Sequence, residues 1–292
     1  MKKLVLVDGR NMAYRSFYAF EGLTTSTGKP TAVTYGSALA LNRLLAEQQP
    51  DYMVVVDDSQ GETFRHKLFP DYKGNRIGTV AEGFHAQLPD FYRLVGAYGL
   101  MLVRVHAVEA DDIIGSLATQ FASEEVEILI VSNDKDFMQL VATNVRILRP
   151  LRGGGFEIVA NSGVMEKFGV HPRQVVDALA LIGDTSDNIP GVAGIGDKGA
   201  AKLLKSFGSL DNIYRNLNFM PPKQAQKLML GKSSAYLSQK LATIDLDLNI
   251  ECTLADFAVQ PQVALERPAL LDLFRELEFK SFFEPTDAPV TS

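Results

Sequence analysis

Met1-Lys2-Lys3-Leu4-Val5-Leu6-Val7-Asp8-Gly9 opens the chain, a short apolar run that stops at an aspartate. The fold turns on this reading. Residues 4–7 carry no polar side chain to alternate with, which suits a parallel strand covered on both faces. Short apolar runs return at residues 53–56, 101–105, 128–131 and 145–148, broken only by Arg104 and Arg146. Helical patterns lie between these runs, over residues 32–48, 81–98 and 109–121. In the last of them Ala110, Ile113, Ile114, Leu117, Ala118 and Phe121 fall close to the i, i+3, i+4, i+7 spacing of a one-sided helix. Thr79 and Glu82 offer a capping box ahead of the second. The alternation predicts an α/β protein, an open and mostly parallel sheet with helices on both faces. Arg152-Gly153-Gly154-Gly155, followed by residues 156–159, reads as a hairpin or loop turn. It is a poor phosphate loop, because no helix pattern opens after it.

The opening run is too short for a signal peptide or a membrane span. A cytoplasmic protein without a membrane partner is therefore expected. The single cysteine, Cys252, leaves no internal disulfide, and His66, His85, His106 and His171 are scattered, so a zinc site built on cysteine is excluded. Among 292 residues, 46% are hydrophobic and 22% charged, a balance that argues for a folded chain. The net charge of −6 excludes a uniformly basic nucleic-acid-coating protein but not a local binding surface.

From about residue 162 the pattern changes to helices with short loops. They are expected at residues 172–182, 197–207, 222–230, 235–243 and 269–277, with a polar, frayed end after residue 285. The chain thus divides into residues 1–161 and 162–292, packed as one unit.

Asp8, Asp57 and the pair Asp134 and Asp136 each follow a predicted strand, so three strands deliver acids to one sheet edge. In open parallel sheets ligands bind beyond that edge. Glu109, Asp111 and Asp112 crowd the first turn of a helix, where one or two acids would already satisfy the helix dipole. Asp184 and Asp187 stand in Gly183-Asp184-Thr185-Ser186-Asp187-Asn188, a turn-rich loop. Singly, each is read as well by a cap or an Asx turn. Converged, these nine would repel one another steeply. An oxygen-only set suits Mg²⁺ or Mn²⁺, and two such ions would serve in-line phosphoryl chemistry.

Gly191-Val192-Ala193-Gly194-Ile195-Gly196-Asp197-Lys198 opens a helix that continues through Lys202, Leu203 and Leu204. This reads as a helix-hairpin-helix over about residues 183–207. Gly194 and Gly196 let the backbone approach a phosphate, and Lys198 and Lys202 add charge. Such a hairpin grips a sugar-phosphate backbone without reading bases. A second basic stretch, with Arg65, Tyr72, Lys73 and Arg76, follows Asp57. Its cations would hold a scissile phosphate and Tyr72 would stack a base.

Taken in order, these motifs resemble the bacterial and phage 5′-nuclease family, the flap endonucleases and the 5′→3′ exonuclease domain of DNA polymerase I. The resemblance covers roughly residues 3–284. It implies a PIN-like nuclease core with a helical arch over about residues 60–95. It implies 5′→3′ exonuclease and 5′-flap endonuclease activity in DNA replication and repair, on 5′ flaps, nicks and 5′ ends, with RNA primers as a further substrate. A monomer is expected. Asp8, Asp57, Glu109, Asp111 and Asp112 are assigned to a first Mg²⁺, and Asp134, Asp136, Asp184 and Asp187 to a second, with Mn²⁺ as a substitute. Asp8 and Asp57 count as catalytic with Lys73 and Arg76, which match basic residues of the arch. Arg15 matches another basic position, and K⁺ is expected at the hairpin. Two departures stand out. Ile77-Gly78-Thr79-Val80 replaces a proline-rich helix start, and Gly199 stands where threonine is usual.

Two other classes compete. A DNA-binding module that does not cut would not need the full acid set. A phosphohydrolase of small esters would want an aspartate two residues after Asp8, where Arg10 stands, and would leave the hairpin without purpose. Setting the nine acids apart leaves 26 of the 35 against 29 bases, so the remaining surface is mildly basic.

Overall fold

The computed structural model describes residues 1–76 and 83–283. The Arg76 side chain, the Ile77-Gly78-Thr79-Val80 departure, the Thr79 and Glu82 pair and the end after residue 285 lie outside the described residues.

Six strands form one sheet: β1 (Lys2–Asp8), β2 (Tyr52–Val56), β3 (Met101–Val103), β4 (Val126–Val131), β5 (Val145–Pro150) and β6 (Phe156–Val159). Their order is β3-β2-β1-β4-β5-β6. Every pairing is parallel except β5 with β6, which run antiparallel. The glycine turn joins that last pair as a hairpin, with Gly153, Gly154 and Gly155 all at positive φ. Leu6 lies opposite Val54 on one side and Ile130 on the other, so β1 is the centre of the sheet. The chain leaves β1 toward β2 and later returns to its other flank as β4. That reversal opens a crevice beyond the strand ends.

The helices are α1 (Gly9–Ala19), α2 (Ala32–Gln48), α3 (Phe64–Leu68), α4 (Phe84–Ala97), α5 (Ala110–Phe121), α6 (Asn161–Phe168), α7 (Val175–Ile182), α8 (Asp197–Phe207), α9 (Leu210–Arg215), α10 (Pro222–Leu230), α11 (Lys232–Ala242), α12 (Pro261–Leu265) and α13 (Pro268–Glu276). The strands alternate strictly between two cores. Leu4, Leu6, Ile128 and Ile130 pack with Ile113 and Ile114 of α5 and with Leu179, Leu203, Leu204 and Leu241 of the later helices. Val5, Val7, Leu129 and Val131 pack with Met12, Leu41, Leu45, Phe91 and Leu94 of α1, α2 and α4. Each of these fully buried side chains contributes about 1.5–3 kcal/mol.

Two expectations change. The helix expected over residues 81–98 is α4, which starts at Phe84 behind Gly83, at φ 88°. Helix α13 does not stay with the helical second half: Leu270, Leu273 and Phe274 return to the core formed by α1, α2 and α4. Residues 162–283 therefore straddle both faces of the sheet. Among the described residues, no helix is long and apolar enough to cross a membrane.

Candidate active site

The strand ends and the start of α5 carry the acids to one edge of the sheet. Asp8 ends β1 and caps α1, accepting the Asn11 N–H at 3.0 Å. Its second oxygen accepts from Ser132 Oγ at 2.7 Å, just beyond β4. A Cβ on Gly9 would sit 2.9 Å from the Val56 carbonyl oxygen, so glycine lets α1 start against β2. Asp57 follows β2 directly, its N–H held by the Val103 carbonyl of β3. Asp134 caps the 3₁₀ turn Lys135–Leu140, which carries Asp136. Glu109 is the N-cap position of α5, and Asp111 and Asp112 lie in its first turn.

Protein cations thread through this cluster, and they divide it. Arg65 Nη1 donates to Glu109 at 2.6 Å and to Asp112 at 2.7 Å, and Nη2 donates to Asp112 at 2.7 Å. Lys73 Nζ donates to Glu109 at 2.6 Å and lies 3.9 Å from Asp187. Lys135 pairs with Asp184, whose other oxygen accepts from the Ser186 N–H and Oγ. Arg10 and Tyr92 bind both oxygens of Asp57. Burial opposes ionisation of Glu109, but Lys73 and Arg65 outweigh it and hold its carboxyl below the usual range. Lys135 and Ser186 do the same for Asp184 against its burial.

Asp8, Asp111, Asp134 and Asp136 form the other group. Burial pushes the Asp8 carboxyl up to about 7, with Asp58 and Asp134 adding to the rise. Burial, then Asp134, pushes Asp136 up to about 8. Asp111 is raised well above its ordinary value by burial and by Asp134 and Asp8, and Asp134 is raised chiefly by burial. Asp136 Oδ1 is buried without a hydrogen-bond partner, and its nearest cation, Lys135 Nζ, is 3.8 Å away. Among the described residues no three acids close around one point as a bound metal requires. The donor chemistry nevertheless fits a divalent cation: four crowded carboxylates, one orphaned oxygen, and repulsion that a cation would relieve.

Of the nine acids, Asp57, Glu109 and Asp112 have their oxygens bound by cations of the protein itself. Asp112 also accepts the Asp245 N–H at 2.9 Å. Two residues expected to touch DNA have their side chains turned into the protein. Arg65 is 3% exposed and spends its remaining donors on the carbonyls of Leu241 and Thr243. Tyr72 is 4% exposed, and its hydroxyl points to Glu109 and Asp187 rather than its ring to a base. Arg15 is half-buried and donates to the carbonyls of Pro150 and Leu151, anchoring the β5–β6 hairpin. The basic stretch is tied to the acid loop of the second half: the Lys73 N–H donates to the Asp187 carbonyl, and Asn188 Nδ2 donates to that of Asp71. Beside Asp134 opens a polar cleft of about 340 Å³ lined by Asn11, Asn133, Lys135, Arg149, Lys167 and Ser186.

The helix-hairpin-helix is built from α7, the loop after it and α8. Gly183 and Gly191 touch across the loop, both at positive φ. A Cβ on Gly191 would come within 2.4 Å of the Gly183 nitrogen, so no side chain fits. The loop closes on the paired Asp184 and Ile189 backbones. Gly196 caps α8, and Lys198 and Lys202 stand exposed on it. Gly194 lies against Lys227 of α10, a third lysine that spacing did not reveal. Asp58 was also missed. It accepts the Ala110 N–H at 2.9 Å and so caps α5 from 52 residues away.

Comparison with known proteins agrees with this architecture. Residues 3–169 match the 5′-3′ exonuclease N-terminal resolvase-like domain, and residues 170–264 match the 5′-3′ exonuclease C-terminal SAM fold. A 5′-3′ exonuclease of Aquifex aeolicus is 36% identical over 290 residues, covering 98% of this chain and 96% of that protein. DNA polymerase I of Bacillus caldotenax is 40% identical over 290 residues, and the chain spans 33% of its length. Among solved structures, bacteriophage T5 5′-exonuclease with bound divalent zinc superposes with a TM-score of 0.70 at 22% identity, covering 95% of this chain and 99% of that one. A T5 flap endonuclease complex with DNA and metal ions gives 0.69 at 22% identity, covering 95% and 98%. With both domain families matched over residues 3–264, the chain belongs to the 5′-3′ exonuclease family and is an enzyme of that class.

Proposed function

We propose that this chain is a Mg²⁺-dependent, structure-specific 5′-nuclease that cuts DNA at 5′ flaps, nicks and 5′ ends during replication and repair, with RNA primers among its substrates. The observation that carries this reading is the group Asp8, Asp111, Asp134 and Asp136, crowded at the strand ends and the start of α5, whose one cation within 4 Å among the described residues is Lys135, 3.8 Å from Asp136, beside a phosphate-gripping hairpin. These four would hold two Mg²⁺ ions, with Mn²⁺ able to replace them. A divalent ion held there would lower the pKa of a bound water and offset charge on the leaving oxygen. Ser132 and the Asn11 N–H keep the Asp8 carboxylate aimed into the crevice. Lys73 and Lys135 sit at the rim, where they balance Glu109 and Asp184 and meet the incoming phosphate charge. Asp187 joins that rim. Arg76 carries a further positive charge in the arch. Lys198, Lys202 and the N–H groups behind Gly194 and Gly196 hold the duplex backbone without reading sequence, and K⁺ would complete that hairpin.

Purified protein incubated with an end-labelled 5′-flap duplex tests the reading. Cleavage at the flap junction in Mg²⁺, abolished by chelator, is expected. No Mg²⁺-dependent product would overturn it.

A further inference from the structure

Asp57 is fully buried, and its carboxylate is clamped from two sides. Arg10 Nε donates to Oδ1 at 2.9 Å, Arg10 Nη2 donates to Oδ2 at 3.2 Å, and the Tyr92 hydroxyl donates to Oδ2 at 2.8 Å. Nη2 also reaches the Asp58 carbonyl at 3.4 Å. One edge of the guanidinium is thus fully spent. Nη1, with two N–H donors, has no protein partner among the described residues, and the Arg10 side chain keeps 21% of its surface in solvent. Arg10 stands two residues after Asp8 in the first turn of α1, so this unspent edge lies at the ends of β1 and β2. A second guanidinium, Arg104, rests on the Tyr92 ring 4.5 Å from its centroid and offsets the charge of Asp58 beside Arg10.

An arginine fixed along one edge by a buried carboxylate presents its remaining Nη1 donors to an anion in a fixed direction. Breaking such a pair would leave Asp57 buried and uncompensated, which is costly. Asp57 is therefore better suited to hold Arg10 than to leave it. We propose that Arg10 binds a DNA phosphate beside the Asp8 group, and that Asp57 and Tyr92 are positioning residues that aim it. The identity of the anion rests on the nuclease reading above. The arrangement also gives position 10 a purpose: a cation stands where ester phosphohydrolase chemistry would want a second acid.

The test is equilibrium binding of a 5′-flap duplex in Ca²⁺, with the DNA checked for integrity, across a series of strands that each carry one methylphosphonate. Wild type is compared with Arg10→Gln and Tyr92→Phe. The double variant Arg10→Gln with Asp57→Asn leaves a neutral pair and guards against misfolding. Arg10→Gln and the double variant should each weaken binding about tenfold and lower the slope of log affinity against log salt by about 1. One methylphosphonate position should weaken wild type about tenfold while leaving both Arg10 variants unchanged. Tyr92→Phe should weaken binding about two- to threefold and leave the salt slope alone. If wild type binds and cuts the flap but both Arg10 variants keep its affinity and salt slope, or no methylphosphonate position couples to Arg10, this inference is overturned alone. If wild type neither binds nor cuts flap DNA, the nuclease reading falls and takes the inference with it.

Discussion

Arg65 and Asp112 face each other through two parallel hydrogen bonds of 2.7 Å, both side chains being almost wholly buried. The pair joins α3 to the first turn of α5 and, through the Leu241 and Thr243 carbonyls, to the end of α11. It fixes the helix turn that carries Asp111. Removing one partner of a buried pair leaves the other charge uncompensated, at a cost of about 3–5 kcal/mol. Arg65→Gln should lose about that much in urea unfolding. Arg65→Lys should recover little of it, because an ammonium cannot make the forked contact. An Arg65→Gln variant as stable as wild type would show that the pair does not organise the site.

The raised carboxyls set a pH dependence. An aspartate raised in the folded state holds a proton that the unfolded chain has already released. For Asp136 that window runs from the ordinary value of 3.8 to about 8. Across it the folded state binds more protons, so the stability of the metal-free protein falls as pH rises. Glu109 and Asp184, held low, act in the opposite sense, and their contribution is lost only as pH falls below the ordinary carboxylate range. Asp136→Asn should therefore stabilise the metal-free protein at pH 8, on the order of 2 kcal/mol, and far less at pH 4. Thermal melts of both proteins in chelator at the two pH values measure this. A variant less stable than wild type at pH 8 would contradict the repulsion on which the site argument stands.

Gly199 is a separate matter. It lies in the first turn of α8, and a Cβ there would meet only Ile195 Cγ2, at 3.7 Å, an ordinary contact. The helix has room for a side chain and gains from one. Gly199→Ala should stabilise the fold by about 0.5 kcal/mol and leave duplex binding unchanged. A loss of stability would mean that the hairpin needs glycine freedom at this position as well as at Gly191.

The sheet was legible because its cause is local. Residues 4–7, 53–56 and 128–131 are apolar throughout, and each ends near an acid, so both the parallel strands and the edge where the acids gather follow from short stretches. The ion pairs were not legible, because their partners are distant in the chain. Arg65 finds Asp112 47 residues on, and Arg10 finds Asp57 at the same separation. A basic and aromatic run such as the one holding Arg65 and Tyr72 has the composition of a nucleic-acid surface whether it faces solvent or carboxylates. Only the tertiary fold turns these two inward. Helix α1 escaped notice for a related reason. Arg10, Asn11, Arg15 and Ser16 interrupt its apolar stripe, yet Arg10 and Arg15 spend donors on Asp57 and on the Pro150 and Leu151 carbonyls.

The central claim is that Asp8, Asp111, Asp134 and Asp136 hold the divalent ions, while Asp57 and Asp112 are bound by the protein's own cations. Mn²⁺ titration of the DNA-free protein, followed by calorimetry, tests it most directly. Two ions should bind wild type. Each of Asp8→Asn, Asp111→Asn, Asp134→Asn and Asp136→Asn should weaken that binding at least tenfold. Asp112→Asn, scored only on its folded fraction, should bind Mn²⁺ as wild type does. Wild-type affinity in the first four variants, or loss of both ions in Asp112→Asn, would contradict the division of the cluster.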